Sequence, residues 1–290
     1  MAKLYGSVSG QSKEIKKLYG SVGGVSKEIK KLYASVNGQS KLIYEAASTA
    51  TYGTVYYKAS SSATTVQEVA ITSLAEFNGL VGTSSASLAN VVVNGVTLNA
   101  TGTNIIVGLE IGSQITSIPD YFLRGCMYFN RPLVLPSGLT SIGANFLYGC
   151  SSFNQALTLP SSLTSIGSHF LYICSSFNQA LTLPSSLTSI GGSFLYGCKS
   201  FNRALTLPSS LTSIGSIFLY NCDAMTSYVN VGSLAATIVG ASSYVLATTN
   251  SEAASYTTGI KIRGSNRAAW MTRFPNRTSS PYRKLVDYGG

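Results

Sequence analysis

Leucine and isoleucine alternate with threonine and serine along ALTLPSSLTSIG, residues 156–167, with Leu157, Leu159, Leu163 and Ile166 as the apolar members. A period of two is that of a half-buried strand, so LTL and LTSI predict two short strands. Pro160 has no N–H to give to a ladder and belongs at the corner between them. In FLYGC, residues 146–150, large apolar side chains crowd together. That spacing predicts a short helical or 3₁₀ turn, with Gly149 relaxing the backbone before the next corner.

The same pattern returns every 24 residues. Cysteines mark it at 126, 150, 174, 198 and 222, and a partial unit, ITSIPDYFLRG, precedes the first. Near-identical copies at a fixed period predict a solenoid over residues 111–222, each coil burying its apolar face on the next. Like then stacks on like: Phe146 on Phe170 and Phe194, Asn154 on Asn178 and Asn202. An asparagine ladder at a corner lets each side-chain amide bond the backbone of a neighbouring coil.

A shorter repeat opens the chain. KLYGSVSGQSKEIK, KLYGSVGGVSKEIK and KLYASVNGQSKLIY succeed one another at 14-residue intervals from residue 3 to 44. Glycine- and asparagine-containing turn signals punctuate them. Leu18, Gly20 and Val22 alternate with Lys17, Tyr19 and Ser21, which predicts a β-meander of about four strands over residues 1–45 rather than a helix. So small a sheet is marginal alone in water, and this assigns it an assembly role through Lys16, Leu18, Tyr19, Lys30, Leu32 and Tyr33.

Residues 46–110 predict a β-rich capping module, with strands in TATYGTVYYKAS and NVVVNGVTLNATGTNIIVGLEIG. Asn94-Gly95 is a two-residue hairpin signal, and TSLAEFNGLVG suits a short helix. Residues 223–290 supply a C-terminal cap ending in a basic tail with the single Trp270. The expected fold class is mainly β: meander repeats, a β-rich module, then a right-handed solenoid of 24-residue coils with its cap.

Composition changes the picture mainly through charge. Only 10% of residues are charged, yet the net charge is +10. Residues 1–45 carry +5, residues 259–290 carry +6, and the stretch between carries −1. A basic balance suits nucleic acid or an anionic surface, but charge confined to both ends fits solvated segments or an acidic protein partner better. Nucleic acid is disfavoured as a partner. MAKLYGSVSG lacks the apolar run of a secretory signal, and no run of about 18 apolar residues predicts membrane insertion.

Candidate chemistry is sparse. Metal sites need clustered ligands, and cysteines 24 apart supply none, so buried reduced thiols are expected. The one histidine, His169, shares a column with Tyr121, Asn145, Ser193 and Ile217, which reads as an exposed variable position. No paired carboxylates or glycine-rich phosphate loop stand out. The expectation is a non-enzyme with no catalytic, metal or cofactor residues and no cofactor. A binding surface is expected instead from Tyr121, Asn145, His169 and Ser193 with Arg131, Gln155, Gln179 and Arg203. The stripe Tyr148, Tyr172, Tyr196 and Tyr220 either joins it or packs within the wall.

CSSFNQALTLPSSLTSIG resembles the BspA-like leucine-rich repeats of bacterial surface proteins and tailed-phage genomes, over about residues 111–222. The fourteen-residue repeats are similar to N-termini of virion-associated proteins of tailed bacteriophages, and SNRAAWMTRFPNRTSSPYRKLVDYGG resembles ends of phage-encoded repeat proteins. These resemblances imply a tail-fibre or capsid-decorating protein, made in the bacterial cytoplasm and carried on the virion. It would dock through residues 1–45 on other virion proteins and present the solenoid to a host glycan or protein. They imply a homo-oligomer, a trimer by analogy with phage fibres. The rival implication is a bacterial cell-surface adhesin.

Overall fold

The second and third copies of the fourteen-residue repeat each form an antiparallel pair of strands. In the computed structural model β1 (Tyr19–Val22) pairs antiparallel with β2 (Val25–Glu28), and β3 (Lys31–Val36) with β4 (Gln39–Glu45). The structure describes residues 19–22, 25–28, 31–36, 39–45, 52–235, 260–273 and 285–287. Among them β2 and β3 do not pair, which corrects the expected continuous meander. The second and third copies each pair within themselves, Val22 facing Val25 and Val36 facing Gln39. Of the assembly residues, Tyr19, Leu32 and Tyr33 lie in these strands, whereas Lys16, Leu18 and Lys30 fall outside the described residues. These hairpins belong to one unit, residues 1–50, and everything else to a second, residues 51–290.

The second unit begins with a three-stranded antiparallel sheet. Its central strand β5 (Gly53–Lys58) lies between β6 (Gln67–Ile71) and β9 (Ile105–Ile111). Between β6 and β9 come α1 (Leu74–Asn78) and a hairpin of β7 (Val91–Val93) and β8 (Val96–Leu98). Asn94 and Gly95 turn that hairpin with φ of 44° and 81°, the left-handed pair a tight two-residue turn requires. Ser73 caps α1 by accepting from the Glu76 N–H. The Glu76 carboxylate in turn accepts from the backbone N–H groups of Thr72 and Asn94, tying helix to hairpin.

This module covers the first coil by imitating a coil. Phe77 packs on Phe122 at 4.9 Å, and the Leu80 carbonyl accepts from the Leu123 N–H. Phe122, Phe146 and Phe170 present the same carbonyl to Leu147, Leu171 and Leu195. Arg131 adds a brace, its guanidinium 4.4 Å above the Tyr56 ring and its stem against Gly108.

The coils stack through the two-residue strands β10 (Ser117–Ile118), β11 (Ser141–Ile142), β12 (Ser165–Ile166), β13 (Ser189–Ile190) and β15 (Ser213–Ile214), parallel and in register. The solenoid has about five turns. The regular strand in LTSI is therefore only Ser-Ile, with the threonine N–H before it also bonding the threonine carbonyl one coil back. The expected LTL strand is regular only at β14 (Leu205–Thr206); in earlier coils LTL alternates in burial without a ladder. Beyond it, β14, β16 (Tyr228–Asn230), β17 (Ile260–Arg263) and β18 (Leu285–Asp287) form a second parallel sheet, with α2 (Arg267–Arg273) between the last two. Trp270 is buried there and donates its indole N–H to the Leu234 carbonyl.

The core is a set of columns. Phe122, Phe146, Phe170, Phe194 and Phe218 stack at 5.2–6.3 Å, and Phe129, Phe153, Phe177 and Phe201 at 5.8–6.0 Å. Each such ring removed from water contributes roughly 1.5–3 kcal/mol. The glycine of every SIG corner follows from the stacking: a Cβ at Gly191 would lie 2.3 Å from the Ser168 nitrogen of the coil before.

Candidate functional site

The corner expected to be helical is neither helical nor 3₁₀. Over residues 145–149 the first, third and fifth positions all have φ in the left-handed region, Asn145 62°, Leu147 53° and Gly149 73°, with matching triplets in the other four coils. The alternation sends successive N–H groups in opposite directions along the solenoid. Asn145 donates forward to Ser168, Leu147 backward to Phe122, and Gly149 forward to Tyr172. A helical turn would keep those groups within the coil and leave the coil edges unpaired.

This geometry corrects the exposed position expected for the variable column. Asn145 and Ser193 are buried at 8% and 7% exposure, and Tyr121, His169 and Ile217 are half-buried. The backbone N–H of each of the first four bonds the following coil at 2.7 Å. The main chain does the structural work there, so the side chain is free to differ. Burial and the nearby Arg124 charge hold the His169 imidazole below its usual value, which keeps it neutral in neutral water.

Tyr148, Tyr172, Tyr196 and Tyr220 form a ladder beside that column, with centroids 4.6, 4.4 and 5.1 Å apart and planes within 15° of parallel. Arg124 occupies the tyrosine position of the first coil and lies 4.2 Å over the Tyr148 ring, in the range of a cation–π contact. His169 meets Tyr172 edge-on at 5.2 Å. Burial, together with Tyr196 and Tyr148 on either side, raises the Tyr172 hydroxyl to about 12. Tyr172 and Tyr196 are covered on both faces by their neighbours, so only their rims reach solvent. Of the two readings of the stripe, packing within the wall is the one its stacking shows.

The second expected column has structural partners. Gln155 and Gln179 donate to the Asn130 and Asn154 side chains, and Arg203 donates to the Asn178 carbonyl. Arg131 braces the cap. The asparagine ladder beneath is as the sequence predicts: Asn130, Asn154 and Asn178 each accept through Oδ1 from the backbone N–H of the asparagine one coil on, at 2.9–3.0 Å. Sequence reasoning missed the bracing by the Gln/Arg column, although its place directly after the ladder asparagine was a usable signal.

The five thiols are buried and unlinked. Cys150, Cys174, Cys198 and Cys222 donate at 3.1–3.3 Å to the carbonyl of the left-handed leucine in the coil before. Burial pushes the thiols of Cys126, Cys150, Cys174 and Cys198 far above their ordinary value, so these act as small core groups and weak donors, not nucleophiles. Among the described residues no three His, Cys, Asp or Glu side chains are grouped to hold a metal ion, and no helix is long and apolar enough to cross a membrane.

No curated protein matches this sequence. Two solved structures resemble part of it. One is a leucine rich repeat protein of T. pallidum, with 27% identity over 43% of this chain and 58% of that one, and a TM-score of 0.40. The other is a leucine-rich repeat protein of Bacteroides ovatus ATCC 8483, with 17% identity over 56% of this chain and 51% of that one, and a TM-score of 0.38. The chain thus spans between about half and three fifths of the length of each. Residues 101–226 match the family model of the BspA type leucine rich repeat region, in six copies, and the described coils are a leucine-rich-repeat solenoid over that stretch.

Proposed function

We propose that this chain is a non-enzymatic structural protein of a phage virion, docked on the particle through its fourteen-residue repeats and presenting the solenoid outward for adhesion. BspA type repeats favour a surface or adhesion-type repeat protein, and the resemblance of residues 1–45 to virion-associated N-termini supplies the attachment. One observation carries the non-enzymatic part. Polar side chains of the coils, from the asparagine ladder to Thr140, Thr164, Thr188 and Thr212, which each bond the carbonyl one coil back, are engaged in holding coils together. They do not converge on a point where a substrate could react. Partners on this reading are copies of the chain, as a trimer or otherwise, other virion proteins, and a glycan or protein on the host.

The test is incorporation. Purified particles carrying the full chain should be labelled by antibody under the electron microscope, and a chain lacking residues 1–45 should be absent from them. Particles that still take up the truncated chain would sink the docking role. Recovery of the protein from a bacterial envelope instead of particles would establish the cell-surface adhesin, the reading that the family description favours. A chain that adheres to no bacterial surface would end the adhesive role in either setting.

A further inference from the structure

The dipeptide Asn-Gly stands at Asn37-Gly38, Asn78-Gly79 and Asn94-Gly95. The first of these lies outside the described residues, and the other two sit in opposite backbones. Asparagine is a thermolabile residue, above all before glycine. With no Cβ in the way, the glycine nitrogen can approach the asparagine side-chain carbonyl. The flanking residues are alike at the two described sites, Phe77 and Leu80 at one, Val93 and Val96 at the other. Any difference between them therefore comes from the fold.

Asn78 is the last residue of α1. Gly79 follows it in the helical region, φ −74°, and its N–H donates to the Ala75 carbonyl at 2.9 Å. A Cβ on Gly79 would lie 3.3 Å from the Ala75 and Glu76 carbonyl oxygens, and the adjoining Phe77 is buried. The Gly79 nitrogen can attack only after the end of α1 has opened. Asn94-Gly95 has none of these restraints. Both residues are exposed at the tip of the β7–β8 hairpin, and nothing lies within 4 Å of where a Gly95 Cβ would be. Among the described residues, neither the Gly95 N–H nor the Asn94 side-chain amide has a hydrogen-bond partner. The hairpin strands are three residues each, and so short a pair opens at its tip at little cost.

We infer that Asn94 is a site of spontaneous deamidation through a cyclic imide, chosen over Asn78 by the fold. The Gly95 nitrogen gives up its proton and bonds to Cγ of Asn94, and the side-chain nitrogen leaves as ammonia. Water then opens the ring at either carbonyl, leaving aspartate or isoaspartate at position 94. One water is consumed and one ammonia released, and nothing is oxidised or reduced. Either product puts a new carboxylate on the residue whose N–H the Glu76 carboxylate accepts at 2.7 Å. Isoaspartate also adds a methylene to the turn that Val93 and Val96 close. Both changes oppose the tie between α1 and the hairpin, so the reaction loosens the module that covers the first coil.

Mass spectrometry of the full chain, aged in mildly alkaline buffer and then digested, tests this. In the folded chain the mass gain of an amide turned acid should appear at Asn94 at least about tenfold faster than at Asn78, the factor expected when a backbone hydrogen bond must first break. In urea the two rates should converge. Isoaspartate should accompany aspartate at Asn94. Retention of the Asn94 amide, equal rates at Asn78 and Asn94 in the folded chain, a rate ratio unchanged by urea, or aspartate without isoaspartate each overturns the inference. Asn94→Gly keeps a two-residue turn and removes the amide. Its melting temperature should hold during ageing while that of the wild type falls, and a variant that drifts as the wild type does overturns the loosening of the cap.

Discussion

The two repeats in this chain solve the same problem in opposite ways. The described copies of the fourteen-residue repeat pair their strands internally, Tyr19 with Glu28 through Val22 with Val25 in one and Lys31 with Glu45 through Val36 with Gln39 in the other. The 24-residue coil closes only short turns alone, such as Tyr148 on Asn145 and Leu163 on Pro160. Its strand is two residues long, and its turn N–H groups, asparagine amides and thiols all look to a neighbour. A hairpin repeat can thus be read as a row of separate units, and a coil repeat as a one-dimensional stack whose ladders cross every boundary.

The sharpest way to break this contrast is by deletion. Removing residues 174–197, one whole period, leaves every column in register and should preserve a cooperative thermal transition. Removing residues 174–185 sets leucine columns against turn columns and should abolish that transition in circular dichroism. Removing residues 17–30, one hairpin, should leave the solenoid transition where it was. A half-period deletion that melts like the wild type would refute the columnar account.

Next in size come two glycines that look alike in the sequence. At Gly191 a Cβ would meet the previous coil's backbone at 2.3 Å, so Gly191→Ala should cost roughly 1–3 kcal/mol or more in denaturant titrations. At Gly149 the nearest atom is 3.8 Å away and only φ of 73° opposes a side chain, so Gly149→Ala should cost about 1 kcal/mol. Asn178→Ala removes the acceptor for the Asn202 N–H and should destabilise by about 1–3 kcal/mol. Asn178→Asp, which keeps the acceptor, should recover part of the loss. Ile173 offers the reverse test: it stands at φ 56° and is 42% exposed, where sibling coils have Gly125, Gly149 and Gly197. Ile173→Gly should raise stability by about 1 kcal/mol.

The smallest expected effect depends on pH and belongs to the cap. Burial alone would raise the Glu76 carboxyl, but the backbone N–H groups of Asn94, Thr72 and Ser73 and the Thr72 hydroxyl outweigh it and hold it below its ordinary 4.5. A carboxylate lowered on folding stabilises the fold above the unfolded value and loses that contribution as pH falls through the folded one. The difference in melting temperature between the wild type and Glu76→Gln should therefore be constant above 4.5 and shrink in acid.

Much of the solenoid was legible because its columns repeat. The period, the phenylalanine and asparagine stacks and the buried thiols all follow from asking which residue lies 24 positions away. The capping strands and the Asn94-Gly95 hairpin were equally readable from alternation and turn chemistry. The left-handed turn was not, because Leu147 and Ile173 carry no preference for such a backbone. Its only trace was Gly125, Gly149 and Gly197 with Asn145 and Asn221, diluted by residues that disfavour it. Variability in the Tyr121 column was mistaken for exposure for the same reason: where backbone bonds fix a turn, a buried side chain can vary. The hairpins were misjudged as one meander because alternation specifies faces and says nothing about which edges meet.

The alternating N–H directions of the turn carry a last consequence, for length. A coil that gives hydrogen bonds to both neighbours can be followed by another coil without limit, and each addition advances the tip by about 5 Å, one strand spacing. Nothing in the sequence of a single coil specifies how many there should be. Reach is then a graded quantity, changed in whole steps by gaining or losing copies, while the chemistry of every wall stays as it was.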